Sequence, residues 1–111
     1  MQADLALDLP TLRNAADAAC GLMKVLSNPD RLLLLCQLSQ GERRVGELQG
    51  LVGIGQPTLS QQLGVLRDEG LVATRREGKQ IYYRINSPQA LAVMQVLYEQ
   101  FCDRSQGETT C

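Results

Sequence analysis

Side chains able to recognise DNA bases are concentrated in one short stretch of the chain. These side chains combine hydrogen-bond donors and acceptors without net charge. A helix face of this kind can bind the edges of base pairs in the major groove of DNA. The alternative is an ordinary amphipathic helix with a polar surface, and the stretch alone does not decide between the two. Its polar members are Gln56, Thr58, Ser60, Gln61 and Gln62.

The residues around this polar face predict the helix that would carry it. Gly55 ends the preceding helix, and Pro57 suits a first helical turn, where its missing N–H costs nothing. Leucines 59, 63 and 66 recur at the spacing of one helical stripe, so they should face the core. Gly70 is placed to stop the helix.

A basic segment follows this helix and predicts a second DNA contact. Residues 71–76 and 81–85 are β-rich runs separated by a turn at 77–80, which is the pattern of a β-hairpin. Arg75, Arg76 and Lys79, together with Arg84, outweigh Glu77. Basic side chains at a hairpin tip suit contacts with phosphate or with the minor groove. A solvated hairpin with no partner is the alternative.

The rest of the chain predicts helices that support this unit. We expect a first helix over 11–26 with Thr11 as its N-cap. Two shorter helices should follow over 31–38 and 45–52, and a last helix should begin at Pro88. The helix at 45–52 and the one after Gly55 are joined by a short glycine-containing turn, as in a helix-turn-helix. The first and last helices each have an apolar face that a second copy of the chain would cover.

Composition restricts the remaining choices. A chain of 111 residues is typical of one domain. Because its net charge is only −1, a nucleic-acid binder of this composition must concentrate its positive charge in one region of the surface. The start of the chain does not resemble a signal peptide, and no apolar run reaches the roughly 20 residues that cross a bilayer. We therefore expect a cytoplasmic protein without membrane contact, with reduced thiols at Cys20, Cys36, Cys102 and Cys111.

These features together resemble the ArsR/SmtB family of bacterial winged-helix repressors over nearly the whole chain. The resemblance implies a mainly α fold with a small β-hairpin, in the order ααααββα, and a homodimer that binds palindromic operator DNA. It also implies one winged helix-turn-helix domain over 11–104, between a flexible segment 1–10 and a flexible tail 105–111. The matching stretches are LSNPDRLLLLCQL, VGELQGLVGIGQPTLSQQLGVLRDEGLV and RREGKQIYYRI.

The metal sites common in that family do not match this sequence. The region 45–49 has no thiol, and the chain has no histidine, so both familiar sites lack their ligands. The positions of Cys36 and Cys102 instead resemble the subgroup that includes BigR, SqrR and HlyU. That resemblance implies release of the operator when reactive sulfur species join the two cysteines by a disulfide or polysulfide bridge.

Other functions remain open at this point. Thiolates of Cys36 and Cys102 could bind Cu(I) or Cd(II) with a third ligand, or they could respond to oxidants in general. Without the resemblance, both cysteines would be interpreted as small core hydrophobes. An enzyme is disfavoured because the chain has neither histidine nor a C-x-x-C pair, so no catalytic residue and no cofactor are expected.

Overall fold

Leucines at helical spacing build the centre of the molecule. Leu59, Leu63 and Leu66 project from one helix and are at most 1% exposed, which confirms the predicted stripe. They pack in one cluster with buried leucines of the two preceding helices. In this computed structural model, which describes residues 8–102, the elements are α1 (Leu9–Leu26), α2 (Pro29–Leu38), β1 (Arg43–Arg44), α3 (Val45–Val52), α4 (Gln56–Asp68), β2 (Val72–Glu77), β3 (Gln80–Ile85) and α5 (Pro88–Phe101).

Capping residues set most of the helix boundaries. The side chain of Asn28 accepts a hydrogen bond from the backbone N–H of Arg31 at 3.1 Å, and Ser87 accepts one from Ala90 at 3.0 Å. These bonds satisfy N–H groups of a first turn that have no partner within the helix. Helix α4 is followed by Gly70 at φ 79°, a left-handed conformation that glycine adopts without strain. The predicted helix stop is thus confirmed.

The start of α1 differs from the prediction. The helix begins at Leu9, and Thr11 lies inside it instead of capping it. Asp8 is the N-cap, because its carboxylate accepts a hydrogen bond from the backbone N–H of Thr11 at 3.0 Å, and Pro10 fits the first turn. Leu9 and Pro10 therefore belong to the helix and not to a flexible segment. Residues 1–7 and the predicted tail 105–111 lie outside the described part of the chain.

The predicted hairpin is present, but it belongs to a three-stranded sheet. Strands β2 and β3 pair antiparallel up to Glu77 opposite Gln80, with Gly78 at φ 65° in the turn. Strand β1 adds to the other edge of β3, giving the order β1-β3-β2. Two arginines with no apolar alternation do not predict a strand. They become one because the edge of β3 offers ladder hydrogen bonds next to them.

Helix α1 has little cover from its own chain. Only Val25 and Leu26 at its end are buried, whereas Leu9 and Met23 are 71% and 58% exposed. Most of the apolar face predicted for this helix therefore lies outside the core of the single chain, and only its last turn joins the core. Within residues 8–102, every helix is too short or too polar to cross a bilayer.

Candidate nucleic-acid interface and cysteine cavity

The first two turns of α4 present the predicted polar face to the outside. Gln56, Thr58, Ser60 and Gln61 are exposed, while the leucines on the opposite side hold the helix against the core. The side-chain amide of Gln56 donates a hydrogen bond to the hydroxyl of Ser60 at 3.1 Å. This arrangement leaves donors and acceptors of the helix accessible to a groove of DNA.

Gln62 differs from its neighbours because it is half-buried and held by another residue. Arg31, at the start of α2, donates from Nη1 to the Gln62 side-chain oxygen at 2.9 Å. Its Nε donates to the backbone carbonyl of Val25, at the end of α1, at 2.6 Å. Arg31 therefore connects the α1–α2 junction to α4, which makes it a positioning residue for the predicted DNA-binding face. The sequence alone does not predict this role, although a cation directly before the apolar run 32–35 is a signal for it.

The basic residues of the hairpin fall into two groups. Arg76 and Lys79 are exposed at its end, and Arg76 Nε donates to the backbone carbonyl of Gly78 at 3.3 Å. Arg75 instead forms ion pairs with Glu42 at 2.9 Å and with Glu77 at 2.8 Å. Its guanidinium also lies 4.4 Å from the ring centroid of Tyr82, within the range of a cation–π contact. Arg75 thus holds the hairpin to the loop before β1, while the other two residues remain accessible.

The Arg75 ion pair changes the titration of its partner. The hydrogen bond from Arg75 is the main cause that lowers the pKa of Glu42 from its ordinary value. A lowered carboxyl pKa means that the pair is complete at neutral pH and is lost as pH falls through that pKa. The contact of Arg75 with Glu42 therefore persists under ordinary conditions.

Two further arginines beside the hairpin were not predicted as site residues. Arg43 and Arg44 form β1 and pair with Tyr83 and Tyr82 of β3. The backbone N–H of Arg44 also donates to the Glu47 carboxylate at 2.9 Å at the start of α3. Their position adds positive charge at the opposite edge of the same sheet.

Cys36 lies in an apolar cavity between α2 and α5. This Cys36 cavity has a volume of about 350 Å³ and brings the thiol next to the last two turns of α5. It forms because α2 is apolar on most sides, so that a second face remains after its buried leucines have filled the core. The residues lining it are Leu32, Cys36, Met94, Leu97, Tyr98 and Phe101.

Cys102 directly follows the helix that lines this cavity. It is the C-cap residue of α5, its backbone N–H donates to the Tyr98 carbonyl at 2.9 Å, and it is 7% exposed. Cys36 and the exposed Cys20 are free thiols. Cys102 is disulfide-bonded, so the expectation of a reduced thiol at this position is wrong. The structure thus has α2 packed on α5 without a bridge between Cys36 and Cys102.

Burial raises the pKa of the Cys36 thiol above its ordinary value. The protonated thiol therefore dominates at pH 7, and the reactive thiolate becomes more abundant as pH rises. We expect the rate of alkylation of Cys36 by iodoacetamide to keep rising between pH 8 and 9, where alkylation of a thiol with the ordinary pKa of about 8.5 levels off. Timed labelling followed by peptide mass spectrometry measures this rate. A rate that levels off between pH 8 and 9 would contradict the raised pKa.

Metal ligands are not gathered in the described part of the chain. No group of three or more Cys, Asp or Glu side chains in residues 8–102 is arranged to hold a metal ion. A metal site built on Cys36 would need a ligand from elsewhere.

Comparison with solved structures places this geometry among known regulators. The transcriptional repressor BigR from Xylella fastidiosa is 51% identical and superimposes with a TM-score of 0.79, over 83% of this chain and 94% of that one. Reduced HlyU from Vibrio cholerae N16961 is 35% identical with a TM-score of 0.81, over 86% of this chain and 100% of the other. A homodimeric winged helix-turn-helix DNA-binding domain from Mycobacterium bovis is 32% identical, with a TM-score of 0.68, over 84% and 86% of the two chains.

The family model agrees with these structures. Residues 28–74 match the model described as bacterial regulatory protein, arsR family, and this range contains α2, α3 and α4. The helix-turn-helix of α3 and α4 and the following hairpin are arranged as in a winged helix-turn-helix. The chain therefore belongs to the arsR family of bacterial regulatory proteins and is a DNA-binding transcriptional repressor similar to BigR.

Proposed function

We propose that this repressor is a homodimer that binds palindromic operator DNA and releases it when Cys36 and Cys102 react with reactive sulfur species. The observation that carries the proposal is the Cys36 cavity. It places a thiol of α2 against the last turns of α5, and Cys102 is the next residue of the chain. A bridge between the two cysteines would therefore connect two elements that already touch.

The DNA-binding part of the proposal uses α4 and the hairpin. Gln56, Thr58, Ser60 and Gln61 are accessible for base contacts, and Gln62 is held in place by Arg31. Arg76 and Lys79 are exposed at the end of the hairpin and are available for contacts with phosphates. In a twofold-symmetric dimer the two α4 helices enter successive major grooves, so the half-sites should lie about 34 Å apart.

The dimer is supported by the surface of α1. Small residues Ala15 and Ala19 open a cleft of about 650 Å³ between α1, the end of α4 and the start of α5. Leu9, Leu12 and Met23 are further exposed apolar residues of the same helix. A surface of this kind is typical of a subunit interface, and a related domain from Mycobacterium bovis is homodimeric.

The sulfur chemistry balances with a persulfide as the co-reactant. The Cys36 thiol takes the outer sulfur of a persulfide RSSH, which gives Cys36–S–SH and RSH. Once reduction of its disulfide has freed the Cys102 thiol, that thiol attacks the inner sulfur, which forms Cys36–S–S–Cys102 and releases hydrogen sulfide. The two thiols lose two electrons, and the transferred sulfur is reduced to hydrogen sulfide. If both cysteines carry an extra sulfur, the same attack forms a trisulfide bridge and hydrogen sulfide.

The bridge would weaken DNA binding through geometry. It ties α2 to α5. Because Arg31 of α2 is hydrogen-bonded to Gln62 of α4, the bridge also restricts the orientation of α4 in each subunit. A bridge changes affinity only if DNA-competent and incompetent shapes differ. Coupling free energies between sites are typically about 1–3 kcal/mol, or roughly 5- to 150-fold in affinity. This range is sufficient for release of an operator.

The deciding experiment joins operator binding to mass spectrometry. Protein reduced with dithiothreitol is treated with glutathione persulfide, hydrogen peroxide or oxidised glutathione, and operator affinity is measured for each sample. Peptide mapping then identifies the sulfur bridge and its partner cysteines. We expect persulfide to release the DNA and to link Cys36 with Cys102. Release without that link, or the link without release, would refute the proposal.

The division of the basic residues gives a separate prediction. Lys79→Ala should weaken binding to all DNA sequences alike and lower the slope of log affinity against log salt by about one unit. Arg75→Ala should change the slope less, because its charge is already paired with Glu42 and Glu77. Fluorescence anisotropy over a salt series measures both slopes.

Gln61→Ala is the matched control for those variants. It should change the preferred sequence, with a cost of about 1–3 kcal/mol at the affected base pair, and should leave the salt slope as it was. If Arg75→Ala lowered the salt slope as much as Lys79→Ala, the ion pairs of Arg75 with Glu42 and Glu77 would not reduce its contribution to DNA binding.

A further inference from the structure

The Cys36 cavity has the size and lining of a small-molecule site. Its volume of about 350 Å³ lies at the lower end of the roughly 300–1,000 Å³ of such sites. None of the described residues that line it carries a charge, since they are aliphatic or aromatic apart from the thiol itself. A site with this lining favours an apolar occupant.

The lining also disfavours charged occupants. Moving a charged group from water into apolar surroundings is costly unless an opposite charge or hydrogen bonds compensate it. The raised pKa of Cys36 has the same origin, because burial alone is its cause. A reagent that brings carboxylates to this thiol would meet the same penalty.

Phe101 forms an apolar edge of the cavity on the solvent side. Its side chain is 79% exposed, although it belongs to the lining. Met94, at the inner end of the same helix face, is only 5% exposed. Apolar surface therefore continues from the solvent into the cavity, so that a hydrocarbon substituent can stay in apolar contact while it approaches Cys36.

We infer that the Cys36 cavity selects neutral sulfur donors with small hydrocarbon substituents over donors with charged substituents. This inference rests on the proposed function, and it specifies the class of inducer for the same thiol. The compounds expected to fit are dialkyl trisulfides. Their reactive group is the same as in glutathione trisulfide, which carries carboxylates and ammonium groups.

The reaction with a trisulfide balances without any further reagent. The Cys36 sulfur attacks an outer sulfur of R–S–S–S–R, the bond from that sulfur to the central one breaks, and R–S–SH leaves with the thiol proton. The product is Cys36–S–S–R. The bound R group then remains in the cavity, where its methylenes contact the apolar lining.

The experiment measures the rate of Cys36 modification in the reduced full-length protein. Dimethyl, diethyl and dipropyl trisulfide are compared with glutathione trisulfide by timed quenching and peptide mass spectrometry. We expect the rate to rise about fourfold per methylene added to the substituent that enters the cavity, which corresponds to about 0.8 kcal/mol per buried methylene group. Glutathione trisulfide should react about tenfold or more slowly than dipropyl trisulfide.

The same chain in denaturant is the first control. It retains the thiol and loses the cavity, so the dependence on substituent length should disappear. Phe101→Ala should reduce that dependence in the folded protein, whereas Gln100→Ala, an exposed neighbour on α5 outside the lining, should keep it. Phe101→Lys should raise the relative rate with glutathione trisulfide, and circular dichroism establishes that each variant is folded.

The outcomes separate this inference from the proposed function. Equal rates with glutathione trisulfide and dipropyl trisulfide in the folded wild-type protein, or rates independent of chain length, would overturn the selectivity. The proposed function would fail in a different way, if Cys36 followed the expected series of rates while protein carrying the Cys36–Cys102 bridge still bound its operator.

Discussion

Cys36→Ser protein is expected to remain on its operator after persulfide treatment, while the wild-type protein loses affinity roughly 5- to 150-fold. Serine cannot accept the sulfane sulfur, so the first step of the proposed reaction is absent. The substitution is nearly isosteric in a half-buried position, and DNA binding by the reduced protein should not change. Affinity before and after treatment measures the effect directly.

Cys102→Ser should give the same loss of response at a later step. Cys36 should then be found as a persulfide, because no thiol from α5 is available to displace hydrogen sulfide. Cys20→Ser is the matched control, since Cys20 is exposed on α1 and away from the cavity. It should release the operator normally. If Cys36→Ser protein also released DNA, Cys36 would be a core residue without a regulatory role.

Leu63→Ala is expected to cause a large loss of stability, about 2–5 kcal/mol in the free energy of unfolding. Leu63 is 1% exposed and lies on the buried face of α4, opposite the polar surface. Truncation removes apolar contacts and leaves a cavity beneath the helix. Because single domains are stable by only about 5–15 kcal/mol, a substantial part of the total would be lost.

Urea unfolding at a fixed protein concentration measures this change. Leu51→Ala is the control, because Leu51 is 51% exposed on α3 and its truncation should change stability by about 0.5 kcal/mol or less. A loss at Leu63 no larger than at Leu51 would show that α4 is not anchored by its leucine stripe.

Local patterns predicted the parts of the fold that depend on neighbours in sequence. The spacing of Leu59, Leu63 and Leu66 identified the buried side of α4, and Gly70 marked its end. For the start of α1, the sequence predicts Thr11 because Thr is a good capping residue. The choice of Asp8 depends on which side chain reaches the free N–H groups, and spacing alone does not determine that.

Contacts between distant residues could not be predicted in the same way. Arg31 meets Gln62 across 31 positions, and Arg75 meets Glu42 across 33. Both pairs depend on the relative placement of folded elements. Sequence alone therefore does not distinguish Arg75 from Arg76, although the guanidinium of Arg75 is held in ion pairs with Glu42 and Glu77. The proximity of Cys36 to α5 also depends on how the helices pack, and in the sequence only the family resemblance indicates it.

The exposed face of α1 has a consequence for how repression responds to the amount of protein. In the homodimer proposed above, a second copy covers this face and the DNA-binding species forms from two chains. At concentrations where most chains are single, halving the amount of protein lowers the dimer concentration about fourfold. Operator occupancy then falls more steeply than the protein level. The uncovered helix would therefore make the regulated promoter sensitive to small changes in how much of this repressor the cell produces.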